Sequence, residues 1–173
     1  PLMGVLLEGD RDTGKSALAA HLAQDSGYPF IKMITADMLL GYPSNRKCDM
    51  ITRVFEDAHK SPRSIVILDG LERLLEYVPI GPRFNNEVLQ TLLVLLKKVP
   101  PKQRKLLVFA STSSLDILDS MGLAAAFSVT VRVPTLGTEE ICEVFKQVGC
   151  FVASDIEACA NIFTEGIGKQ SLA

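Results

Sequence analysis

Gly9-Asp10-Arg11-Asp12-Thr13-Gly14-Lys15-Ser16 decides the fold of this chain. It fits G-x-x-x-x-G-K-[ST], the pattern of a phosphate-binding loop between a strand and a helix. The flanks suit it. Met3-Gly4-Val5-Leu6-Leu7-Glu8 is an apolar run of the length of a buried strand, and residues 15–24 are rich in Ala and Leu, as a helix is. Gly9 and Gly14 let the backbone curl until its N–H groups point at phosphate oxygens. The first helical turn, through Ser16 and Ala17, adds unpaired N–H groups and a positive dipole end. Lys15 is placed to meet the β and γ phosphates, and Ser16 to hold Mg²⁺. The alternative is a chance match in an ordinary strand–turn–helix. The flanks, and a matching acid at Asp69, favour a nucleotide site formed by Gly9, Asp10, Arg11, Asp12, Thr13, Gly14, Lys15, Ser16 and Ala17.

The variable positions of the loop are unusual. Asp10 and Asp12 repel a polyphosphate, at most by about 3 kcal/mol per charge pair at ~6 Å and an effective dielectric of ~20. Arg11 offsets part of this, so binding is expected to survive but to be weakened.

Downstream, Ser64-Ile65-Val66-Ile67-Leu68-Asp69 is an apolar run that ends in an acid. It suits a strand buried on both faces. An acid at that end can hold the water shell of Mg²⁺, although it could also merely begin a turn. Further strands are expected at residues 29–32, 106–110 and 128–133. Helices are expected at 45–60, at 71–77, from an Asn85 cap to about Lys98, at 139–148, and at 155–164 behind a Ser154–Glu157 capping box. Alternation of strand and helix implies a five-stranded parallel α/β sheet with helices on both faces, and a ligand at the carboxyl ends of the strands. Residues 1–135 form that subdomain, and 136–173 the start of a small helical lid.

The 173 residues, 47% of them hydrophobic, suit one domain of ordinary size with a small second lobe. A net charge of −2 gives no nucleic-acid footprint. No apolar run approaches the ~18 residues of a membrane span. Cys48, Cys142, Cys150 and Cys159 form no C-x-x-C pair and read as thiols of a reducing compartment.

Several stretches together carry a family resemblance. They are Leu6-Leu7-Glu8-Gly9, residues 13–20, Phe30-Ile31-Lys32, the long segment from Leu71 through Val78-Pro79-Ile80-Gly81-Pro82-Arg83-Phe84, and residues 88–98. The chain resembles the second ATPase domain of the N-ethylmaleimide-sensitive factor family, vesicle-fusing AAA+ ATPases that disassemble SNARE complexes. The texture near residues 127–136 is similar to plant-type members. The resemblance implies a P-loop AAA+ fold, ATP and Mg²⁺ as ligands, a cytoplasmic homohexamer, and a domain that holds ATP and hydrolyses it slowly. SNAP adaptors and SNAREs would engage regions absent here, so the chain is expected to be a fragment or a truncated member. It also implies a γ-phosphate sensor at Ser113, flanked by Ser111 and Thr112, and a second sensor at Lys169.

The departures weigh on function. AAA+ domains carry a water-orienting acid directly after the metal-binding Asp, where this chain has Gly70. Glu72 is two residues on and is expected to point elsewhere. Arginine fingers precede the last strand in active members, where residues 122–128 contain no arginine. A missing finger alone is worth ~10³–10⁵ in rate in related nucleotidases. An ATP-bound assembly module is therefore preferred. An active motor and a pseudo-nucleotidase that has lost binding remain the alternatives. Arg83, in a proline-stiffened loop, reads equally as a subunit-interface residue or as a solvated or loop-pinning one. Tyr42 reads as a loop tyrosine in preference to a pore aromatic.

Overall fold

A computed structural model describes residues 2–80 and 83–148. The sheet is made of β1 (Leu2–Glu8), β2 (Phe30–Thr35), β3 (Arg63–Asp69), β4 (Lys105–Thr112) and β5 (Val129–Arg132), in the order β2-β3-β4-β1-β5. Every pairing is parallel. The helices are α1 (Lys15–Asp25), α2 (Ala36–Leu39), α3 (Ser44–Lys60), α4 (Leu71–Leu74), α5 (Asn86–Lys97), α6 (Leu115–Ser120) and α7 (Thr138–Val148). The chain divides after Val133 into two compact units, and the described part of the second, residues 134–148, contains α7.

Strand alternation builds the first unit. In β3, Val66 and Leu68 join a core with Phe55 of α3 and Leu92 of α5, while Ile65 and Ile67 join Ala19 and Ala23 of α1 on the other face. Small residues on α1 allow it to lie close to the sheet. All five residues from Ser64 to Leu68 are buried, as a strand covered on both faces requires.

β5 is shorter than the strand expected at 128–133. All four of its residues are exposed, and among the described residues it pairs with β1 alone. The helix expected at 71–77 is a single turn. It stops because the chain turns at Glu76, whose φ is 54°. Asn85 caps α5 as expected, its side chain accepting from the Val88 N–H at 3.2 Å. The region around α6 and the 3₁₀ turn Ala124–Ala126 had no element assigned from sequence. Where the resemblance puts arginine fingers, Leu123, Ala124 and Phe127 are buried in the core. The expected helix at 155–164, its capping box, Cys150 and Cys159 lie outside the described residues. No helix among the described residues is long and apolar enough to cross a membrane.

Candidate nucleotide site

The carboxyl ends of β1, β3 and β4 open on a cleft of about 540 Å³. Its walls include Arg11, Asp12, Lys15, Ser16, Asp69, Glu72 and residues 111–114. Residues far apart in sequence meet there because three parallel strands end together.

The two loop glycines have different reasons. A Cβ on Gly9 would stand 2.2 Å from the Val133 carbonyl oxygen, so only glycine allows that close approach. Gly14 has φ 81° and starts α1 from the left-handed region. Thr13 Oγ1 donates to the Asp10 carbonyl at 3.0 Å and braces the loop. Lys15 is only 8% exposed. Its ammonium donates to the carbonyls of Gly9, at 2.8 Å, and Asp10, and to Thr13 Oγ1 at 3.1 Å. A positive charge is thus held inside the loop by its own oxygens.

Ser16 Oγ and Ser111 Oγ both donate to Oδ1 of Asp69, the second at 2.8 Å. Ser111 Oγ in turn accepts the Gly70 N–H at 2.7 Å. A hydroxyl and a carboxylate side by side are hard oxygen donors of the kind Mg²⁺ takes alongside phosphate oxygens. Among the described residues no cluster of three His, Cys, Asp or Glu could hold a metal by itself. A cation shared with a phosphate fits this donor set.

Sequence reasoning singled out Ser113 and gave Ser111 no bond. The structure divides the hydroxyls. Ser111, buried at the end of β4, serves Asp69, whereas Thr112 Oγ1 and the N–H and Oγ of Ser113 all donate to Glu72 Oε1. Glu72 therefore does not point elsewhere. It turns into the cleft because those three groups hold it there. The β3–β4 register, with Leu68 opposite Ala110, places Asp69 beside Ser111 one step further on, and no pattern in the sequence shows that register. Gly70 has φ 66°, and a Cβ there would lie 3.3 Å from Arg73 Cδ. Asp12 lines the cleft at φ 63°, while Asp10 contributes its carbonyl to Lys15 and is not part of the wall. Lys169 lies outside the described residues.

Residues 5–135 match the model of the ATPase family associated with various cellular activities (AAA). The chain belongs to the AAA ATPase family. It is 48% identical over 165 residues to a vesicle-fusing ATPase of Arabidopsis thaliana, covering 95% of this chain and 22% of that protein. A vesicle-fusing ATPase of Dictyostelium discoideum is 49% identical over 168 residues, covering 96% and 23%. The vesicular-fusion protein SEC18 of Saccharomyces cerevisiae is 42% identical over 135 residues, covering 78% and 18%. The chain spans about a fifth of the length of these curated relatives.

Arg83 is exposed. Its backbone pairs with Val78 in both directions, at 2.9 and 3.3 Å. What ties this loop down through side chains is Glu76. It accepts from the buried Lys47 of α3 and from Asn85 Nδ2 at 3.1 Å, and Asn85 Nδ2 also reaches Ser44 Oγ at 2.9 Å. The hydrogen bond from Lys47, then that from Asn85, holds the Glu76 carboxyl below its usual range. Tyr42 is 43% exposed, with the Arg46 guanidinium 5.7 Å from its ring centroid.

Proposed function

We propose that this chain is the ATP-binding AAA+ domain of a SNARE-disassembling, vesicle-fusing ATPase, in which bound nucleotide stabilises a homohexamer and hydrolysis is weak. The observation that carries the reading is the convergence of Lys15, Ser16 and Asp69 on one cleft behind a glycine loop. Lys15 would meet the β and γ phosphates, the N–H groups of residues 14–17 would cradle them, and Ser16 and Asp69 would hold Mg²⁺. The metal's part is to neutralise charge between the phosphates.

Gly70 supports the weak-hydrolysis reading, since it offers no carboxylate where AAA+ domains have one. The arginine-free segment before β5, with Leu123, Ala124 and Phe127 in the core, supports it too. Ser113 as γ-phosphate sensor, Lys169 as second sensor, Arg83 at the subunit interface, and a 1–135/136–173 division into core and lid belong to the same reading. So do a cytoplasmic setting and partnership with SNAP adaptors and SNAREs through other regions of the protein.

The test is sedimentation of the full-length protein with ATP, ADP or EDTA, with phosphate release measured in parallel. Assembly that needs ATP and outlasts slow turnover is expected. Assembly indifferent to nucleotide, or fast turnover by this domain alone, would overturn the reading.

A further inference from the structure

We propose that Glu72 is the carboxylate that orients the attacking water for the slow hydrolysis of ATP in this cleft, a proposal that rests on the nucleotide-binding reading above. Four acids line the cleft: Asp12, Asp69, Glu72 and Glu76. Asp69 is committed to Ser16 and Ser111. Glu76 has one oxygen on Lys47 and the other on Asn85. Asp12 is exposed on the loop itself and has no hydrogen bond among the described residues. Asp69 also keeps one oxygen free, since both serines donate to its Oδ1, but the reading above gives it to the cation. Of the other three acids only Glu72 has one oxygen fixed and one available among the described residues. Oε1 accepts from Thr112 Oγ1, the Ser113 N–H and Ser113 Oγ, while Oε2 has no partner among the described residues. A carboxylate clamped through one oxygen is oriented in advance, so little entropy remains to be lost when the other meets water.

The strands give the two acids separate tasks. Ser111 and Thr112 are consecutive in β4 and project to opposite faces. Ser111 takes Asp69 on one side, and Thr112 takes Glu72 on the other. The metal-side carboxylate and the second carboxylate thus flank Gly70. A side chain at position 70 would have to share its space with the stem of Arg73 and adopt φ 66°.

In the proposed step the water oxygen forms a bond to the γ phosphorus. The bond from that phosphorus to the β–γ bridging oxygen breaks, and ADP leaves with its electron pair. The proton lost by the water passes to Glu72 Oε2 and then to solvent.

Glu72→Gln tests this, because the amide oxygen can still accept from Thr112 and Ser113 while the base is gone. Phosphate release with Mg²⁺-ATP and the ATP-induced rise in Tm are measured on the same samples. The wild type should turn over slowly but above background. The variant should keep the ATP-induced rise and lose about 100-fold in turnover or more. Glu72→Asp, which keeps the charge but shortens its reach, should lower kcat with KM unchanged, and it serves as the test if the Gln variant does not fold. Equal turnover in variant and wild type, wild-type turnover at background, or loss confined to KM would overturn the proposal. No ATP-induced rise in the wild type would instead overturn the nucleotide reading on which it rests.

Discussion

The hydroxyl of Ser16 donates to the carboxylate of Asp69 across 53 positions of chain. Ser16 lies in the first turn of α1 and Asp69 closes β3, so the bond exists only because β1 and β3 both end at the cleft. It brings together the two oxygens proposed to hold the cation.

Asp12 is the loop acid that should weaken ATP binding, since it lines the cleft and Asp10 does not. Asp12→Asn removes the charge and keeps a residue that tolerates φ 63°. It should tighten ATP binding several-fold, while Asp10→Asn changes it little. Isothermal titration of both variants checks this, and equal effects would show that proximity to the cleft is not what matters.

Placing the family's acid at position 70 should cost stability and add little activity. Gly70→Glu forces a side chain into the left-handed region, at about 1–2 kcal/mol. Its Cβ also crowds Arg73. A lowered Tm with no more than a small gain in phosphate release is expected. A large gain at unchanged Tm would mean that this backbone relaxes readily.

Glu76 should couple loop stability to acid pH. Its carboxyl is held below the usual value of 4.5, chiefly by the hydrogen bond from Lys47. Its stabilising effect is therefore complete above pH 4.5 and is lost as pH falls through the lowered folded-state value. Glu76→Gln leaves the buried Lys47 ammonium an amide oxygen to bond but no counter-charge. At neutral pH it should cost about 1–2 kcal/mol, reduced because solvent reaches Glu76. Denaturant melts at pH 7 and at progressively lower pH should show the two proteins converging below 4.5.

Arg83→Ala should weaken ATP-dependent assembly of the full-length protein and leave the melting of this chain nearly unchanged. The side chain has no hydrogen bond or ion pair among the described residues, and Glu76 does the pinning. Normal sedimentation of the variant hexamer would remove Arg83 from the interface. A drop of several degrees in Tm would make it a structural residue.

The sheet and the loop were legible because their signals are local. An apolar run of the right length, two glycines at fixed spacing and an acid at a strand end each speak within a few residues. Glu72 was misread because its direction is set by hydroxyls about 40 positions away, on a strand whose register no local pattern reveals. Lys47 and Glu76 escaped for the same reason, since an ordinary-looking lysine of α3 finds its partner at a non-helical turn. β5 was placed correctly, but its exposure depends on what covers an edge, and that is decided outside the strand itself.

In the proposed site, Lys15 holds the nucleotide in the loop. The most direct measurement is the rise in Tm with Mg²⁺-ATP, compared between this chain and Lys15→Ala. A rise of several degrees is expected for the wild type and almost none for the variant. An equal rise in both, or none in the wild type, would contradict it.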